Sequence, residues 1–311
     1  NPSKECTTAS IAAPRRGNLG HESVTSASKK DFEENIFSPL IPIFFLVFGV
    51  NWYSYVLHAA ILNVLLSITI FYLFKSLNLN QFFATIFAIS VGILAYPSIG
   101  TPFVDHHATI FCTLSVSFAI LGLVNNNSKF WFISSIIIIL AFFSKQVPSA
   151  YILIFITLIL IIQYFLIYKD KSTLYFFSGL VIGLLLFFII SQLFKIPLEN
   201  FLIQYILYPL SIGESRFENF NIDIRNSIFQ FKYIYLALLP MLTVFVVLKK
   251  KKLQKKHKKD LLIAFAVTCK VFIFIYSQLL TKNQVLIFYL IPWCLGFSYY
   301  FISKYYDRSF N

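Results

Sequence analysis

An all-α bundle of transmembrane helices, crossing the bilayer about nine times, is the fold the sequence predicts, and three observations lead to it. Of 311 residues, 58% are hydrophobic and only 13% charged, a balance that a soluble domain of this size cannot keep in solution. The apolar residues fall into runs close to the roughly 20 that a helix needs to cross a hydrocarbon core, where every backbone amide must find its partner within the chain. The basic residues sit in short gaps between those runs, so the formal charge of +13 reports loop sidedness and not a nucleic-acid face.

Taken in order, the length test places spans at residues 53–74, 81–98, 107–124, 130–143, 150–167, 174–194, 233–248, 261–280 and 285–303. Residues 36–48 are also apolar, but the run is short and interrupted by Pro39 and Pro42. It reads as an interfacial helix. The fourth span would rise only about 21 Å, so it must borrow flanking residues or sit in thinned bilayer. Loop charge alternation nevertheless requires it. Residues 1–30 are rich in Ser, Thr and Ala and hold no signal-like apolar segment, so they form a polar segment ahead of a membrane domain at 31–311.

Orientation follows from the basic loop residues, which are retained on the cytoplasmic side. One set of loops carries Lys75, Lys129, Lys169, Lys171, the eight lysines of 249–259, Lys304 and Arg308. The other carries Lys145, Lys195, Arg216, Arg225, Lys232 and Lys282. The first set, larger by fourteen to six, belongs inside, and the eight-lysine run also meets anionic lipid. A chain that starts outside implies a further helix upstream. Lys270 falls deep within a span and should face a polar cavity or a partner rather than lipid. Trp52, Tyr53, Trp131, Tyr151, Tyr168, Tyr175, Tyr233 and Trp293 lie near span ends, the place of interfacial anchors. Cys112, Cys269 and Cys294 fall in apolar runs and Cys6 in the polar segment, with no disulfide or zinc spacing among them.

Polar chemistry gathers in the outer turns. Tyr96 to His107 contains Pro97, Gly100 and Pro102, which break the helix, and then Asp105, His106 and His107. An acid beside two imidazoles can deprotonate a hydroxyl, hold a divalent cation or orient a sugar. The plainer role of Asp105 is a helix N-cap. In the next outer turn, Lys145 is a point charge suited to phosphate, or a lysine snorkelling at a span end, and Gln146 adds an amide. The longest outer loop, 195–231, offers Arg216 and Arg225 as phosphate clamps, although its four acids offer them internal ion pairs as well.

Three segments resemble the GT-C class of integral-membrane glycosyltransferases that use polyprenyl-phosphate-linked sugars, including protein O-mannosyltransferase-like and aminoarabinose-transferase-like enzymes. They are Lys30-Asp31-Phe32-Glu33-Glu34-Asn35 followed by Ser38-Pro39-Leu40-Ile41, then Phe103-Val104-Asp105-His106-His107, then Phe143-Ser144-Lys145-Gln146. The resemblance covers residues 30–163 and is one of hydropathy beyond. It implies transfer of a sugar from a polyprenyl-phosphate donor to a hydroxyl-bearing acceptor (lipid, glycan or protein) at the periplasmic face of a bacterial inner membrane. Asp105 and Asp31 are then the candidate catalytic acids, and His106, His107, Lys145, Gln146, Arg216 and Arg225 the candidate substrate contacts. A divalent cation, if one takes part, falls to Asp105 with His106; no other cofactor is implied. The class carries a further external acid upstream, and His21-Glu22 lies too near Asp31 to fill that place. Two other readings use the same outer polar groups: a transporter or lipid flippase with Lys270 on its path, and a surface-polysaccharide polymerase or ligase built around the 195–231 loop.

Overall fold

The computed structural model describes residues 40–96, 104–193, 197–211, 222–249, 255–281 and 287–305, and every regular element among them is helical. They form α1 Leu40–Phe48, α2 Trp52–Ser76, α3 Gln81–Ala95, α4 Val104–Asn125, α5 Ser128–Ser144, α6 Gln146–Leu166, α7 Ser172–Leu193, α8 Leu198–Leu202, α9 Lys232–Lys249, α10 Lys255–Thr281 and α11 Leu290–Tyr305, with π turns at Ile203–Leu207 and Arg225–Phe229. Five of them, α2, α4, α6, α7 and α10, are long and apolar enough to cross a membrane. Asparagines start three helices, because a short amide oxygen reaches the orphan amides of the first turn. Asn51 accepts from the Ser54 N–H at 2.9 Å, Asn80 from Phe82 at 3.0 Å and Asn127 from Lys129 at 3.0 Å.

The Asn127 cap explains how the fourth expected span gains length: α5 begins at Ser128 and ends at Ser144, 17 residues in place of the shorter run. The last expected span shrinks instead. Pro292 lacks the N–H that a helix interior uses but fits a first turn, and α11 begins at Leu290 and is 16 residues long. Pro42 likewise sits in the first turn of α1 and does not interrupt it. The described part of the 195–231 loop is largely helical, since Phe201 and Tyr205 fall on one face and pack against Phe143 and Phe187.

Helix α4 is the axis of the bundle, 89% buried over its apolar window, whereas α7 is 17% buried and lies at the rim. Small residues let α7 approach α5. A Cβ on Gly179 would stand 2.0 Å from Ser135 Oγ, and one on Gly183 would stand 3.0 Å from Ile139 Cβ. Close packing also corrects two aromatic assignments. Trp131 and Trp293 are fully buried and anchor nothing at an interface: Trp131 fills the space beside Gly122, and Trp293 lies under Lys270. Trp52, Tyr53 and Tyr233 do remain outward-facing near helix ends.

The helices run so that two polar ends result. The start of α2, the end of α3, the start of α4 and the α5–α6 junction meet at one end, joined by His58–His107, His106–Ala95 and Lys145–Asp105 contacts. At the other end the finish of α4 meets α2 through Asn125–Ser76 and α10 through Lys259–Val124, and α11 meets α10 through Lys304–Asp260. Lys75, Lys129, Lys169, Lys171, Lys259 and Lys304 all belong to this second end.

Candidate functional site

The first end gathers the outer-turn residues of the sequence. Asp105, His106 and His107 occupy the first turn of α4, one turn earlier than the expected span start, so Asp105 is a helical residue favoured by the dipole and not the N-cap. Forty positions away, Lys145 adopts an extended backbone, φ −159°, between α5 and α6. That break turns its side chain toward α4, and its ammonium donates to the Asp105 carboxylate. Both side chains are about one-fifth exposed. Gln146, the next residue, donates to the backbone carbonyl of Tyr205 and so ties the π turn to the α5–α6 junction. Burial pushes the Tyr205 phenol above its ordinary range, which leaves it a neutral wall.

Behind the pair lie three buried imidazoles. His106 Nε2 is 2.8 Å from the Ala95 carbonyl at the end of α3. A carbonyl only accepts, so Nε2 carries a proton and donates it. His106 Nδ1 is buried without a hydrogen-bond partner, and in the neutral ring it therefore bears a lone pair. His107 Nε2 lies 3.0 Å from His58 Nε2, with the rings stacked at 4.6 Å between centroids. Two such nitrogens bond only when one is protonated and the other is not, so the pair shares a proton. Phe44 of α1 covers His58 at 4.9 Å. The arrangement puts a cation beside a carboxylate, each about one-fifth exposed, and next to them buried imidazole nitrogens able to receive a proton.

Sequence reasoning missed His58. It is a single histidine in a 25-residue apolar helix, and its partner is 49 positions away. The available signal was the helix itself, because an ionisable side chain inside an apolar span is a functional candidate by default. For the metal assignment, Asp105 is engaged by Lys145 while His106 keeps its Nδ1, and among the described residues no three His, Cys, Asp or Glu side chains converge on one point. Arg225 is exposed on its π turn, whose Ser227 carbonyl accepts from Tyr235 of α9, and it does not join the Asp105–Lys145 pair. Asp31 and Arg216 lie outside the described residues.

Lys270 is buried and does not face lipid. Its partner is aromatic and not a polar cavity: the side-chain nitrogen sits 3.6 Å from the Trp293 ring centroid and 5.3 Å from that of Phe274. Neither a protein-family model, nor a curated protein, nor a solved structure matches this chain.

Proposed function

We propose that this protein is a membrane glycosyltransferase of GT-C type. It crosses the bilayer nine times through α2 to α7 and α9 to α11, and its Asp105 end faces the periplasm. It moves a sugar from a polyprenyl-phosphate donor to a hydroxyl-bearing acceptor. The single observation that carries this reading is the contact between Lys145 and Asp105. The two motifs that resemble the family in different outer turns converge on one ion pair, with buried imidazoles beside it.

In this reading the Lys145 ammonium keeps N–H donors beyond the one given to Asp105 and turns them to the donor phosphate. The acceptor oxygen attacks the anomeric carbon, and the bond from that carbon to the phosphate oxygen breaks with its electron pair leaving on the lipid phosphate. Lys145 stabilises that charge. The acceptor's proton passes to an imidazole, either His106 Nδ1 or the shared His58–His107 pair. Asp105 orients Lys145 rather than acting as the base, which revises the role expected of it. Sugar transfer in membranes containing the full-length protein, followed with a labelled polyprenyl-phosphate sugar, tests the proposal. Transfer lost in Lys145→Ala supports it. Movement of the labelled lipid between leaflets with no covalent transfer replaces it by the transporter reading. A cysteine beside residue 105 should react with an impermeant thiol reagent from the periplasm, and reaction only from the cytosol would refute the orientation.

A further inference from the structure

The second end of the bundle holds a polar cavity of about 510 Å3 between the last turns of α2, α4 and α11 and the first turns of α10. Two lysines line it. Lys259 donates to the Val124 carbonyl at 2.7 Å and to Asn126 Oδ1 at 3.0 Å, which closes the C-terminus of α4. Lys304 donates to Asp260 at 2.7 Å and to the Tyr300 hydroxyl at 2.6 Å. An ammonium has three N–H donors, so each lysine keeps one beyond these bonds. Asp260 is buried and also accepts from the Tyr300 and Tyr305 hydroxyls. Lys259 and Lys304 stand within electrostatic reach of one another, with one carboxylate against two ammonium groups. The neighbouring Lys258 is exposed and adds to the positive field. Carbonyl ends of three helices offset part of that excess, and the first bonds of Lys259 are already directed at one of them. What remains is positive charge in a recess that water only partly screens, which is the setting of an anion site.

We propose that this recess binds a phosphate group between Lys259 and Lys304. Two separated ammonium groups suit a tetrahedral anion with several acceptor oxygens, whereas a planar carboxylate is better matched by the guanidinium fork. Asn78, Asn125 and Ser303 line the same recess and supply neutral hydrogen-bonding groups. The phosphate belongs to a lipid headgroup or to a soluble phosphate compound, since the recess lies at the end of the bundle where both are present. The site is independent of the sugar-transfer reading.

The test uses the full chain in dodecyl maltoside micelles, which carry no phosphate. Inorganic phosphate is titrated against thermal unfolding, and phosphatidylglycerol retention is followed by native mass spectrometry. Saturable binding of at least one probe is expected, weakened about tenfold in Lys259→Gln, retained in Lys259→Arg, and abolished in Ser303→Phe, which fills the recess while keeping both lysines. Protection by inorganic phosphate assigns a soluble ligand; retention of phosphatidylglycerol without that protection assigns a lipid headgroup. Equal affinity in wild type and in both Lys259→Gln and Ser303→Phe, or no saturable binding of either probe, overturns the site.

Discussion

Each end of the bundle carries a lysine paired with an aspartate, and the two pairs are built differently. Asp260 is 4% exposed at its side chain and accepts from an ammonium and two phenols. Its partner residues Tyr300, Lys304 and Tyr305 all come from the last turns of α11, so the pair fastens one helix to another. Asp105 is about one-fifth exposed, has Lys145 as its side-chain donor, and sits beside buried imidazoles with nitrogens left over. A saturated carboxylate has nothing left to offer a ligand; an accessible pair beside spare imidazole nitrogens does. The same two residue types thus make a fastening at one end and a candidate reactive centre at the other, and the surrounding donors decide which.

The largest effect should come from breaking the fastening. Asp260→Ala leaves a partly buried ammonium and two phenols without their acceptor, and stability should fall by about 3 kcal/mol. Reversible unfolding in mixed micelles measures this, while transfer per folded molecule should change less than about twofold. Lys145→Ala should do the reverse. Asp105 keeps about one-fifth of its side chain in contact with water against 4% for Asp260, so the stability change should be smaller than that of Asp260→Ala, but kcat/KM for sugar transfer should drop about 100-fold as the leaving phosphate loses its cation. If both variants damage only stability, the two ends are the same device and the contrast fails.

The helical fold was legible because apolar runs of span length admit few other structures. The segregation of lysines to one end was legible because loop charge is a property of local sequence. Two kinds of feature were not. Which face of a helix meets a neighbour depends on packing partners far along the chain, and so Trp131 and Trp293 looked like interface aromatics until Gly122 and Lys270 were found beside them. Long-range pairing was hidden in the same way. Lys145 and Asp105 could be suspected from their motifs, yet His58 carries no local pattern and is recognised only by where His107 meets it.

That unforeseen residue sharpens the comparison further. His58→Phe keeps a ring beneath Phe44 and against His107 while removing the nitrogen that shares the proton, so folding should be little changed. Transfer should fall about tenfold if the pair takes up the acceptor's proton. Thermal unfolding and initial rates, measured on the same preparation, separate the two. A stable His58→Phe variant with wild-type rates would leave His106 Nδ1 as the sole proton acceptor in the proposed site.

The smallest effect concerns Arg225, which the sequence offered as a phosphate clamp. Its side chain is exposed on the Arg225–Phe229 turn and outside the Asp105–Lys145 pair. An exposed arginine outside the pair contributes little to folding or to a phosphate held there, because water and salt screen its charge. Arg225→Gln should therefore change kcat/KM by less than about twofold. A loss as large as that of Lys145→Ala, growing as ionic strength is lowered, would mean that the turn closes over the donor during turnover. The open pair at this end would then be one state of a site that the saturated pair at the other end has no means to imitate.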